Sequence, residues 1–279
     1  MIEQKQADGS PAGEHPVWTH HEAIVNGVRL HYVEAGAGPL VVLLHGFPDF
    51  WYGWRYQIGA LAAAGYRVIA PDMRGYNLSE KPPGVLAYHI RHLTGDVAGL
   101  LRMFGGEQGG YLAGHDWGGV VAWHTARLHP ELVRKLAILN APHPNRYLEV
   151  LREVPAQRRR SWYIGFFQLP WLPELLLPRT TAQVERFFRI SGGDAPSFIR
   201  EDARLYAEAL NQPGAKTAMV NYYRSLFRRT VAIHVRELPH QLSMPVLLLW
   251  GKQDVALELA NADPEKLRRW APNLRVELL

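Results

Sequence analysis

Cysteine is absent from the 279 residues. That removes disulfides, thiolate nucleophiles and zinc–thiolate ribbons together, and fits a reducing compartment. No run reaches the ~18 consecutive apolar residues of a membrane span, and the polar start from Met1 to Pro16 lacks the apolar centre of a signal peptide. The expectation is a cytoplasmic protein with no membrane span. Phosphate-cradling glycine loops, internal repeats and low-complexity tracts are also missing. A formal charge of +5 raises the question of an acidic partner, but the densest basic cluster is only Arg158-Arg159-Arg160. It reads as a solvated helix surface, so no nucleic-acid partner is expected. His89 and His92 stand three apart without partner carboxylates and read as solvent or packing residues, so no metal site is expected.

What is present is a chain long enough, and at 47% hydrophobic content apolar enough, for one large α/β core with an insertion. Residues 1–20 lack periodicity and read as a mobile lead-in. Ala23-Ile24-Val25 and the strand pattern from Val28 to Val33 flank Asn26-Gly27, a hairpin signal because both turn positions tolerate positive φ. Leu40 to Leu44 is a continuous apolar run that suits a strand buried on both faces of a parallel sheet. Helical and strand patterns then alternate: a helix near Trp54 to Ala64, a strand from Tyr66 to Ala70, a helix from His92 to Phe104, a strand from Gly110 to Ala113, a helix from Val120 to Leu128 and a strand from Leu136 to Asn140. Such alternation implies parallel pairing with right-handed crossovers. From Pro142 to about Thr230 helical periods take over, which divides the chain into core residues 21–141, a helical cap at 142–230 and returning core at 231–279. The return carries a strand from Met244 to Gly251, a helix from about Asp254 to Trp270, and a last strand that starts at Leu274 and is cut short at Leu279.

The chemistry concentrates at Gly114-His115-Asp116-Trp117-Gly118-Gly119, between a strand and a helix. A residue on a tight strand-to-helix turn projects its side chain above the sheet and needs small neighbours two before and two and three after. Gly114, Gly118 and Gly119 occupy those places, and Asp is among the few residues that visit positive φ readily. The following helix would aim its first amides at an anionic carboxylate. On these residues alone, an ordinary helix cap describes the motif equally well. His45-Gly46-Phe47-Pro48 after the earlier buried strand tips the balance, because a second backbone amide for an oxyanion hole would come from there, so that Phe47 and Trp117 converge on one oxygen.

With these motifs the chain resembles the α/β-hydrolase superfamily, and within it the epoxide hydrolases, over essentially its whole length. The resemblance rests on His45 to Pro48, Asp72-Met73-Arg74-Gly75-Tyr76, Gly114 to Gly119, the cap, and Trp250-Gly251-Lys252-Gln253-Asp254. It implies a mostly parallel sheet flanked by helices under an inserted cap, and no cofactor. Asp116 in place of a serine changes the reaction class, since a carboxylate displaces at saturated carbon without a base to activate it. Substrates are then epoxides or alkyl halides, the alkyl ester being cleaved by water that a histidine activates. Epoxide opening also leaves an alkoxide, and a tyrosine, with a pKa of about 10, is protonated at neutral pH and still far more acidic than an alcohol.

By the resemblance, Tyr163 and Tyr223 match the family's paired ring-opening tyrosines, whereas Tyr206 and Tyr222 read as packing. Asp254 matches the carboxylate that orients the base, and Asp72 and Arg74 read as loop ties. Phe47, Pro48, Trp51, Trp117 and Phe166, with Phe50 and Phe167, suggest an apolar, aromatic-tolerant pocket. The expected partners are a small apolar epoxide and water, in a monomer or homodimer.

Two other readings stand beside this one. A haloalkane dehalogenase needs N–H donors for halide; Trp117 offers one, but Phe47 stands where many such enzymes carry Asn, and a fluoroacetate dehalogenase would carry Arg after the nucleophile. A non-catalytic ligand-binding module is the third reading, because the family's catalytic histidine belongs in the loop after the last strand and all 13 histidines lie at or before His240. His45, His115 and His240 are not in a comparable place. The expectation is a chain lacking its natural C-terminus, able to be alkylated at Asp116 but weak in turnover.

Overall fold

The computed structural model describes residues 18–192, 198, 200–228 and 241–279. Most of the expected lead-in, the end of the cap and His240 lie outside the described residues. Eight strands form one sheet: β1 (Thr19–Val25), β2 (Val28–Ala35), β3 (Leu40–Leu44), β4 (Arg67–Pro71), β5 (Gly110–His115), β6 (Val133–Leu139), β7 (Val246–Trp250) and β8 (Leu274–Leu278). Their order is β1-β2-β4-β3-β5-β6-β7-β8. The β1–β2 and β2–β4 pairs are antiparallel and every later pair is parallel. This is the mostly parallel sheet that the alternation of helix and strand patterns predicted.

The local reasons are visible in the residues. Asn26 and Gly27 both take positive φ, 52° and 75°, as a two-residue hairpin turn requires. The Asn26 side chain donates to Asp96 at 2.9 Å, and Asp96 forms a two-pronged pair with Arg74 at 2.6 and 2.7 Å, so the turn is tied to the core from below. All five residues of β3 are buried, in keeping with a central strand covered on both faces. Helices α1 (Arg55–Ala63), α2 (Ile90–Gly105) and α3 (Trp117–Leu128) are the covering elements that the sequence outlined. The side chain of His89 accepts from the Arg91 amide at the start of α2, so it serves as a helix cap. Asp72, wholly buried, accepts from His31, from the Trp51 amide and from Asn77, the loop-tying role expected of it.

The chain crosses a switch point at β3: β4 lies on one side of it and β5 on the other. In open α/β sheets the crevice beyond the carboxyl ends of such a strand pair is the natural ligand site. Over that edge sits a layer of helices: α4 (Pro144–Glu153), α5 (Pro155–Arg160), α6 (Trp162–Phe166), α7 (Leu172–Leu176), α8 (Thr181–Gly192), α9 (Arg200–Leu210) and α10 (Ala215–Ser225). Polar ties seat this layer on the core. Tyr206 donates to Asp49 at 2.6 Å, Tyr52 to Asp202 at 2.9 Å, and Tyr222 to the Arg74 carbonyl at 2.7 Å. Tyr206 and Tyr222 are thus buried packing residues with a hydrogen-bonded tip, as expected.

Two expectations need correction. The helix foreseen from Asp254 to Trp270 is broken into a 3-10 turn at Leu259–Ala262 and a short α11 (Pro264–Leu267). Pro264 keeps the preceding residue out of the helical region, and Asp263, extended at ψ 111°, caps the new helix by accepting from the Glu265 and Lys266 amides. The arginine cluster is not simply solvated, because Arg160 donates to the Asp254 carbonyl at 2.6 Å and pairs with Glu258 at 3.0 Å. No helix among the described residues is long and apolar enough to cross a membrane, and no group of three or more potential metal ligands gathers among them.

Candidate active site

Sheet register brings the two sequence motifs together. Leu44 pairs with Gly114, so two residues further along each strand Gly46 lies beside Asp116. A side chain on Gly46 would meet the Cβ of Asp116 at 2.5 Å and its Oδ1 at 2.7 Å, so only glycine lets the carboxyl group lie against this loop. A Cβ on Gly118 would strike the carbonyl oxygen of Leu44, which explains a glycine two residues after the turn. Asp116 itself sits at φ 49° and ψ −119°, and its side chain makes no capping bond to α3. The carboxylate accepts from the Phe47 amide, at 2.7 Å to Oδ1, and the Trp117 amide lies close enough to favour its charged form. The two amides expected to form an oxyanion hole therefore converge on Asp116.

Burial raises the Asp116 pKa above the ordinary 3.8 and the charge of Asp254 adds to the rise; His115 and the two amides oppose it. Burial in the apolar shell favours the neutral acid, and the amide hydrogen bonds favour the carboxylate against it. Its shell is made of rings: Tyr223 packs against Trp117 at 5.1 Å and Phe47 at 5.3 Å, and Tyr163 lies 5.9 Å from Tyr223. Both tyrosines come from the cap, Tyr163 from α6 and Tyr223 from α10. Burial, followed by the negative charge of Asp116, raises the pKa of each above the ordinary 10.0. The polar edge of the Trp117 side chain beside Tyr223 partly opposes this rise.

Among the residues expected to line a pocket, Phe47, Trp117 and buried Pro48 belong to this loop and ring group. Trp51 does not pack with it: its ring meets Trp18 at 5.4 Å and His20 at 5.3 Å, besides Phe50 and Tyr52. Phe166 meets Trp162 and Phe167, whereas Phe167 is the ring that reaches Phe47 at 5.2 Å and Tyr223 at 4.6 Å. Of this pair, Phe167 is the one that joins the ring group, a distinction that a one-turn helix, too short for periodicity, leaves open in the sequence.

Asp254 stands just past β7. Its Oδ2 accepts from Asn140 at 2.6 Å and its Oδ1 from the Ala256 and Leu257 amides at 2.8 and 2.9 Å. Asn140, at φ 42° just past β6, was missed as a partner; a positive-φ asparagine at a strand's carboxyl end is the signal that could have found it. His45 is no candidate base. Its Nε2 accepts from the Met73 amide at 2.9 Å and its Nδ1 faces the Gly46 carbonyl at 3.0 Å, which fixes a neutral tautomer, and burial lowers its pKa.

Comparison with known proteins agrees with this geometry. Residues 39–278 match the alpha/beta hydrolase fold family. The AB hydrolase superfamily protein YfhM of Bacillus subtilis is 45% identical over 252 residues, covering 89% of this chain and 85% of its own. Human epoxide hydrolase 4 is 37% identical over 274 residues, covering 92% and 74%. The crystal structure of an epoxide hydrolase variant from Bacillus megaterium superposes with a TM-score of 0.81 at 33% identity, covering 93% of this chain and 91% of that one. The chain belongs to the α/β-hydrolase superfamily and, within it, to the epoxide hydrolase family.

Proposed function

We propose that the protein hydrolyses small apolar epoxides through an ester on Asp116. A carboxylate oxygen forms a bond to one ring carbon, the carbon–oxygen bond of the ring breaks, and the alkoxide takes a proton from Tyr163 or Tyr223. Water then adds to the ester carbonyl, its released proton returning to the tyrosinate left by ring opening, and the amides of Phe47 and Trp117 stabilise the resulting oxyanion. Loss of the alcohol leaves a vicinal diol and restores the carboxylate. No cofactor enters these steps.

The observation that carries this reading is that two tyrosines from separate helices, Tyr163 and Tyr223, pack together in the ring-lined shell over Asp116. Displacing halide needs no proton donor, so paired phenols favour the epoxide over the haloalkane. Asp254 would orient a histidine base for the water step, a partner not identified among the described residues. The test is parallel incubation with an aryl epoxide and the matching aryl haloalkane. Ester or diol from the epoxide is the expected result, and halide release without reaction of the epoxide would overturn the assignment.

A further inference from the structure

Tyr163 is carried by α6, a helix of five residues whose N-cap, Ser161, makes no side-chain capping bond to the helix's own amides. One turn of helix does not hold a side chain in place by itself, because helix formation draws its stability from length and packing. Tyr223 lies near the end of α10, eleven residues long and buried along most of its length. Transfer of one proton to the alkoxide from one phenol, with a hydrogen bond from the other, needs a fixed spacing between these unequal supports.

Gln168, half-buried just after α6, bridges the two. Its Nε2 donates to the carbonyl of Ile164, next to Tyr163, at 3.0 Å and to the carbonyl of Tyr223 itself at 3.1 Å. Both protons of one planar amide are spent on the two tyrosine-bearing segments. Arg224 reinforces the same span from the other side, donating to the carbonyls of Phe167 at 3.2 Å and Leu169 at 2.6 Å while paired with Glu174.

We infer that Gln168 is a positioning residue that sets the distance between Tyr163 and Tyr223 and thereby tunes proton delivery to the opened ring. The inference rests on the epoxide reading and goes beyond it by assigning the spacing of the phenols to one carboxamide. Gln168→Met keeps the length and removes both donors. A misplacement on the order of 1 Å costs roughly 10²-fold in rate.

The experiment follows ester formation on the Asp116 peptide by mass spectrometry in the 279-residue chain, with an aryl epoxide and, separately, with benzyl bromide, whose leaving group needs no proton. Gln168→Met is expected to slow the epoxide reaction by roughly 10- to 100-fold and to leave the bromide reaction within about threefold. In a Tyr163→Phe, Tyr223→Phe background the same substitution is expected to cost nothing further with the epoxide. Equal slowing with both reagents, no slowing with the epoxide, or full additivity with the tyrosine substitutions would overturn the positioning role. Absence of any ester in the unaltered chain would instead sink the epoxide reading. Should Gln168→Met fold poorly, Gln168→Glu, which keeps the size and loses both donors when ionised, carries the same comparison with the same outcomes.

Discussion

Asp116 combines a φ of 49°, two amide donors and a raised pKa, and each has a separate cause. The backbone conformation comes from the glycines around it, the donors from register between β3 and β5, and the pKa from burial beside Asp254. These set a pH dependence with a definite sign. The attacking form is the carboxylate, so ester formation is expected to fall as pH drops through a value above 3.8. On the alkaline side both phenols are held protonated by burial and by the Asp116 charge, so no decline is expected below pH ~10. Initial ester-formation rates across this range check both limbs. Replacing both tyrosines by phenylalanine is expected to slow epoxide opening by roughly 10²- to 10⁴-fold, read by the same assay.

At the scale of elements, the strand-to-helix turn is the most constrained feature. Gly118→Ala would press a methyl against the Leu44 carbonyl, backbone that cannot swing aside, and a loss of about 1–3 kcal/mol is expected in urea unfolding. Much of this architecture was legible because its signals are local: Asn26-Gly27 for the hairpin, the apolar run from Leu40 to Leu44 for the buried strand, and three glycines around Asp116 for the turn. Residues such as Gln168 and Asn140 were not legible as site partners, since their partners Tyr223 and Asp254 lie far off in sequence. The helix break at Asp263-Pro264 does carry a local signal, a capping aspartate followed by proline.

At the scale of the molecule, cap and core are joined by a few buried polar ties that hold the tyrosines over the sheet. Gln157 is the fullest of them, wholly buried on α5 and bonded to Ser161, Ala256, Glu258 and Asn261, which links the cap to the loop carrying Asp254. Removing its amide strands several buried groups, and Gln157→Leu is expected to lower the melting temperature, each unmet buried group costing about 1–3 kcal/mol. His143, where β6 leads into the cap, is buried between Trp123 and Trp270, and burial pushes its pKa down to about 3. A histidine that stays neutral when folded but protonates near 6.5 when unfolded contributes stability above 6.5 that is lost as pH falls toward its folded value. The chain is expected to lose up to roughly 1.4 kcal/mol per pH unit below 6.5 from this residue, and His143→Phe should flatten that slope in unfolding measured from pH 7 to 4.

The central claim is that Asp116 is the nucleophile. It is tested most directly by peptide mapping of the 279-residue chain after incubation with an aryl epoxide. The expected result is one persistent ester on the peptide containing Asp116, absent from Asp116→Asn. An unmodified peptide, or equal labelling in Asp116→Asn, would contradict the account.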